Sequence, residues 1–135
     1  MNIPVLIAAI IASMAFLAHT VAGNQEALSI NPKKLSSEPT DELQRNWIQS
    51  MCAFQMVTID LLLLSVVLFL IALTDLISFE KTLTLSLSLL FLLWGVAWLL
   101  QLLFLTRKKK NYLLLSQWVF WLVCAVLLYF GAQVM

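Results

Sequence analysis

Asp60 has the strongest claim on chemistry in this chain, because it lies in a long apolar run where a carboxylate is costly. Counting about 1.5 Å per helical residue from Trp47 puts it roughly 20 Å along, near a bilayer midplane. An ionised carboxylate there costs at least ~2.5 kcal/mol on insertion scales, so Asp60 is expected to be protonated, paired or hydrated. At about 100° per residue, Gln49, Cys52, Met56 and Asp60 share one helix face, expected to look into a bundle or onto a partner protein. Three roles stay open for Asp60: a hydrogen bond to Thr58 or a neighbouring helix, a proton or cation relay, or contact with another protein.

Four further polar residues lie in apolar stretches: His19, Gln55, Gln101 and Gln117. Counted from the nearest polar connections, all four fall roughly 6 to 12 Å inside the same membrane boundary, one per helix. Such a layer acts as glue, each interhelical hydrogen bond worth roughly 0.6 to 2 kcal/mol, or as a site for a ligand or proton. An imidazole changes charge near neutrality, so His19 would be the titrating member. His19, Cys52 and Met56 match the donor types that hold Cu(I), but their spacing does not make a site. No metal and no cofactor is expected.

The tryptophans are spaced for contact between two helices. Trp94 and Trp98 are one turn apart, as are Trp118 and Trp121, and Trp98, Trp118 and Trp121 lie about 10 to 15 Å inside the boundary. Their indole N–H groups need acceptors at that depth, and Gln101 and Gln117 are the expected ones. Together the four make either a packed core or an aromatic slot for a lipid, a quinone or a hydrophobic substrate. Gly95 allows close helix approach in both cases. Cys52 and Cys124 sit in apolar runs without a CxxC pairing and are expected to be buried thiols.

The elements that position these residues follow from composition. The chain is 62% hydrophobic and 11% charged with three glycines and three prolines, a profile for continuous membrane helices rather than a turn-rich barrel. Apolar stretches run from Ile3 to about Ala22, Met51 to Leu73, Leu83 to Leu105, and Tyr112 to Phe130, each near the roughly 20 residues that cross a bilayer. The expected fold is therefore an all-α, four-transmembrane-helix bundle forming a single membrane domain over residues 1–135. A cytoplasmic loop and stem occupy about 23–50, with turns at Asn31-Pro32 and Ser36-Ser37-Glu38-Pro39. Thr40 followed by Asp41 and Glu42 reads as a helix start, from which Leu43, Trp47, Met51 and Phe54 form an apolar stripe.

Charge sets the orientation. Lys33, Lys34 and Arg45 lie in the first connection and Arg107 to Lys110 in the third, so both face the cytoplasm and both termini face outward. The short loop with Asp75, Glu80 and Lys81 then also faces outward. A cleaved signal peptide ending at Val21-Ala22-Gly23 is the alternative for the first stretch. It lacks a basic n-region and would move Arg107-Lys108-Lys109-Lys110 outside, so the stretch is expected to remain a span.

The run Ala18-His19-Thr20-Val21-Ala22-Gly23-Asn24-Gln25-Glu26, followed by Ile30-Asn31-Pro32, resembles a set of small bacterial four-span membrane proteins. Their first span ends in His, three residues, Gly and then Glu, with a proline soon after. Their second span reads Trp-His, one residue, Val-Thr and then leucines. Here Phe54-Gln55-Met56-Val57-Thr58 stands in that place ahead of Leu61 to Leu64, so the second histidine is replaced. The resemblance covers roughly residues 15 to 73. It implies four helices and an association of His19 with Gln55, and it implies no activity. Small four-helix multidrug transporters need a glutamate within the first span, whereas Glu26 falls past it.

No phosphate loop, metal cluster or Ser/His/Asp set can be drawn from the sequence, and an independent enzyme is not expected. The expected function is a non-enzymatic accessory or oligomer-forming subunit of a bacterial inner-membrane assembly. Its expected partners are the lipid bilayer and other membrane subunits or copies of itself, and not nucleic acid. A small proton- or cation-coupled transporter using Asp60 and His19 is one alternative, and a lipid or quinone binder is another.

Overall fold

The computed structural model describes residues 1–35, 38–106 and 108–135, and every regular element in them is helical. Ser36 and Ser37 of the expected turn and Arg107 of the expected basic loop lie outside the described residues. In chain order, α1 (Ile3–Ala18) passes through a π-helical segment (His19–Gly23) into α2 (Asn24–Ser29), and α3 (Pro32–Leu35) is a single turn. There follow α4 (Asp41–Leu73), α5 (Glu80–Leu105), α6 (Lys109–Leu114) and α7 (Gln117–Gln133). Three helical stretches, Ile3–Ser29, Asp41–Leu73 and Glu80–Leu105, are long and apolar enough to cross a membrane. α7 is apolar but has 17 residues, about 25 Å of helix.

Two boundaries differ from the expected ones, each for a local reason. The first helical stretch continues past Ala22 to Ser29 because Gly23 keeps helical angles (φ −62°, ψ −40°) and does not end the helix. It stops before Pro32, where the residue ahead of proline is driven from the α region and the Asn31 side chain accepts the Lys33 N–H at 3.0 Å. The expected fourth stretch, Tyr112 to Phe130, is divided between α6 and α7 at Leu115 and Ser116. By contrast, α4 starts as its sequence implies. The Thr40 hydroxyl accepts the Leu43 N–H at 3.3 Å, Asp41 and Glu42 occupy the first turn, and stem and span form one helix of 33 residues.

The chain divides into two compact units, one of Met1–Ile11 with Val66–Met135 and the other of Ala12–Ser65. In the first, α5 and α7 pack antiparallel through small residues. Ser88 donates its hydroxyl to the Ala125 carbonyl at 2.8 Å, and a Cβ on Gly95 would stand 2.8 Å from Leu122 Cδ2. Phe91, Cys124, Leu128 and Thr84 are fully buried there. The start of α1 is tied to the same unit by Asn2. Its backbone N–H donates to Ala72 O at 3.0 Å, its side-chain amide donates to Gly131 O at 2.8 Å, and its Oδ1 caps α1 through the Val5 N–H. A Cβ on Gly131 would lie 2.5 Å from Val5 Cγ2, so only glycine fits that crossing.

The second unit brings the His19–Ser29 stretch against α4. Trp47 donates its indole N–H to Ala27 O at 3.2 Å, and His19 meets Phe54 further along, which makes the pairing antiparallel. On α4 the residues facing this contact are Phe54, Thr58, Leu61 and Ser65, the last three buried.

Two substitutions test the crossing at Gly131. Gly131→Val overpacks it against Val5 and is expected to cost about 1–3 kcal/mol, read as a lowered Tm in detergent. Asn2→Ala removes a cap and an interhelical hydrogen bond and is expected to cost about 0.5–2 kcal/mol. An unchanged Tm in both would overturn the described packing.

Candidate functional site

His19 is the centre of the most elaborate polar contact in the second unit. The π-helical turn lets the Asn24 N–H reach back to His19 O and sets the imidazole against α4. The ring stacks on Phe54 with centroids 3.9 Å apart and planes 17° from parallel. Nε2 lies 3.2 Å from Phe54 O, and since a carbonyl only accepts, Nε2 carries the hydrogen. The same carbonyl accepts the Thr58 hydroxyl at 3.1 Å. Gly23 completes the contact, because a Cβ there would lie 3.1 Å from Phe54 Cζ. The His-x3-Gly spacing thus has a steric meaning, with the histidine bonding and stacking while the glycine clears space for the same ring. The partner of His19 is Phe54, not the adjoining Gln55, whose side chain is exposed.

The expected polar layer is not a hydrogen-bonded network. Gln55, Gln101 and Gln117 are exposed, and among the described residues none of their side chains takes a hydrogen bond. Gln101 and Gln117 also do not serve the tryptophans. Trp98 donates to Leu115 O at 3.1 Å and Trp118 to Tyr112 O at 3.1 Å. Both carbonyls belong to the stretch where α6 ends before α7, and helix ends leave carbonyls without intrahelical donors. The two indoles supply those donors. Trp94 and Trp121 do something else. They meet edge to face at 4.8 Å, with Phe91 at 5.3 Å and Phe120 at 4.4 Å from the Trp121 ring. With Phe91 fully buried and Trp121 nearly so, that cluster is core between α5 and α7 rather than an open slot.

Asp60 is exposed, and so are Gln49, Cys52 and Met56, which share its face of α4. The sequence left bundle interior and partner surface open for this stripe. Within α4 the centre of the stripe lies about 135–165° around the helix from Phe54, Thr58 and Leu61, with Asp60 at its edge, about 100° from Leu61. Thr58 does not bond Asp60, because its hydroxyl is turned back to Phe54 O. Cys52, expected to be buried, is exposed for the same reason, whereas Cys124 is buried in α7. His19 also stands apart from Cys52, Met56 and Asp60, being held at the Phe54 side. No group of three or more His, Cys, Asp and Glu gathers among the described residues.

Asn2 and Gly131 went unnoticed in the sequence. An Asn-x-Pro start to an apolar run is a helix-cap signal that would have marked Asn2. The role of Gly131 depends on a contact distant in sequence. No family model, curated protein or solved structure matches the chain.

These contacts separate the members of the supposed layer. His19→Ala and Trp98→Phe are each expected to destabilise the protein by about 0.6–2 kcal/mol, by removing a donor from a backbone carbonyl. Gln101→Leu and Gln117→Leu are expected to stay within about 0.5 kcal/mol of wild type. Thermal unfolding in one detergent measures all four. The assignment fails if the glutamine variants are the damaging pair.

Proposed function

We propose that the chain is a non-enzymatic component of a bacterial inner-membrane assembly and docks to its partner through the outer face of α4. The observation that carries this reading is Asp60, a carboxyl exposed on a membrane-length apolar helix, on a side where Gln49, Cys52 and Met56 are exposed as well. A polar group left facing hydrocarbon is costly, and a second protein that hydrogen-bonds it removes that cost. Gln49 and Gln55 flank the same outer side and carry donors as well as acceptors.

The reading includes four spans, with α7 as the fourth, both termini outside and the Lys108–Lys110 segment in the cytoplasm. The three exposed lysines beside apolar α5 and α7 support that orientation. A proton relay joining His19 to Asp60 is less favoured, because the two lie on opposite sides of α4 and the His19 ring is engaged with Phe54. A lipid or quinone slot is less favoured, because Trp94 and Trp121 close on Phe91 and Phe120.

Extraction of the full chain from membranes in mild detergent tests the docking reading. The wild type is expected to elute in a complex, while Asp60→Leu elutes as a monomer with the same Tm. A wild type that elutes as a clean monomer sinks it. For orientation, Lys109→Cys in a Cys52→Ser background is expected to react with an impermeant maleimide only after the cells are opened. Labelling of intact cells would reverse the topology.

A further inference from the structure

We propose that the partner on α4 is α4 of a second copy of this chain, parallel and in register. This rests on the docking reading above and names its occupant. On the outer face, Gln49, Cys52, Met56, Ile59 and Leu63 follow one another at alternating spacings of three and four, and all are exposed. These are the a and d positions of successive heptads, the seam along which two helices supercoil. Phe54 and Leu61 then fall at the position most distant from the seam, which agrees with the stacking of Phe54 on His19 and the burial of Leu61.

The residues flanking the seam choose the second copy over an unrelated helix. Copies inserted in one membrane with one topology meet in parallel, and in a parallel pair each g residue faces the e residue five positions on in the other helix. Gln55 is at g and Asp60 at e. The carboxamide of Gln55 in each copy therefore donates to the Asp60 carboxyl of the other, twice by symmetry. The preceding g–e pair, Ile48 with Ala53, is apolar. The one before it, Asp41 with Asn46, is again an acceptor facing a donor. Lower on the seam, Glu42 and Arg45 are exposed; in register each faces its own copy across the twofold axis and meets the opposite charge diagonally, one turn away. One pairing thus gives partners to Gln55 and Asp60, neither of which has a side-chain hydrogen bond among the described residues.

The two cysteines supply the test. Cys52 lies on the seam and Cys124 is buried in α7. Mild copper-phenanthroline oxidation of membranes holding the full chain is expected to give a disulfide-linked homodimer. Cys124→Ser should keep it, and Cys52→Ser should abolish it. In the Cys52→Ser background, Met56→Cys is expected to restore cross-linking and Val57→Cys, off the seam, to give at most a tenth of the yield. Gln55→Leu and Asp60→Leu are each expected to lower the Cys52 yield several-fold while leaving Tm in detergent monomers unchanged. Equal yields at positions 56 and 57, or no homodimer from Cys52, overturn the pairing. Cys52 joined to a different protein instead overturns this inference and leaves the docking reading standing. No adduct of either kind, with a monomer in detergent, overturns both.

Discussion

A backbone carbonyl that leaves helical pairing in an apolar surround has no water to turn to, and much of this structure answers that constraint. The donors are side chains. Trp98 and Trp118 serve Leu115 and Tyr112 where α6 gives way to α7, and Trp47 serves Ala27 near the end of α2. His19 and Ser88 instead bond carbonyls inside regular helix, those of Phe54 in α4 and Ala125 in α7, and Asn2 serves Gly131 near the end of α7. Two departures from regular α-helix sit beside such donors. The π-helical turn carries His19 itself, and the break at Leu115 and Ser116 begins at the second of the two indole-bonded carbonyls, those of Tyr112 and Leu115. These side chains maintain the backbone, which sets them apart from Asp60, Gln55, Gln101 and Gln117.

Close approach of helices is the second theme, and it depends on missing side chains. Lipid gives helices no hydrophobic reason to associate, so contact between backbones and fitted side chains must supply the attraction. Gly95 admits Leu122, Gly131 admits Val5, and Gly23 admits the Phe54 ring. The three glycines in the sequence are all contact positions, and none has a positive φ.

The helices were legible in the sequence because apolar length and loop charge are local signals. The start of α4 was legible for the same reason, since Thr40, Asp41 and Glu42 declare a cap. The division of the fourth stretch was not, because Leu115 and Ser116 carry no breaker. The break is stabilised by Trp98, which comes from another helix. Residue type also misassigned the partners. Gln101 and Gln117 have the right chemistry for an indole, but the nearest orphan acceptors are backbone atoms, which leave no mark in a sequence. The orientation of the Asp60 stripe needed the helix's packing face, fixed by Phe54, Thr58 and Leu61. Periodicity finds that two stripes exist without saying which is inward.

The 33 residues of α4 make a rod about 50 Å long with neither proline nor glycine along it, well beyond a hydrocarbon core of about 30 Å. It therefore outruns such a core by about 20 Å, and its first turns, with Asp41, Glu42 and Arg45, form a helical stalk beyond the apolar stretch.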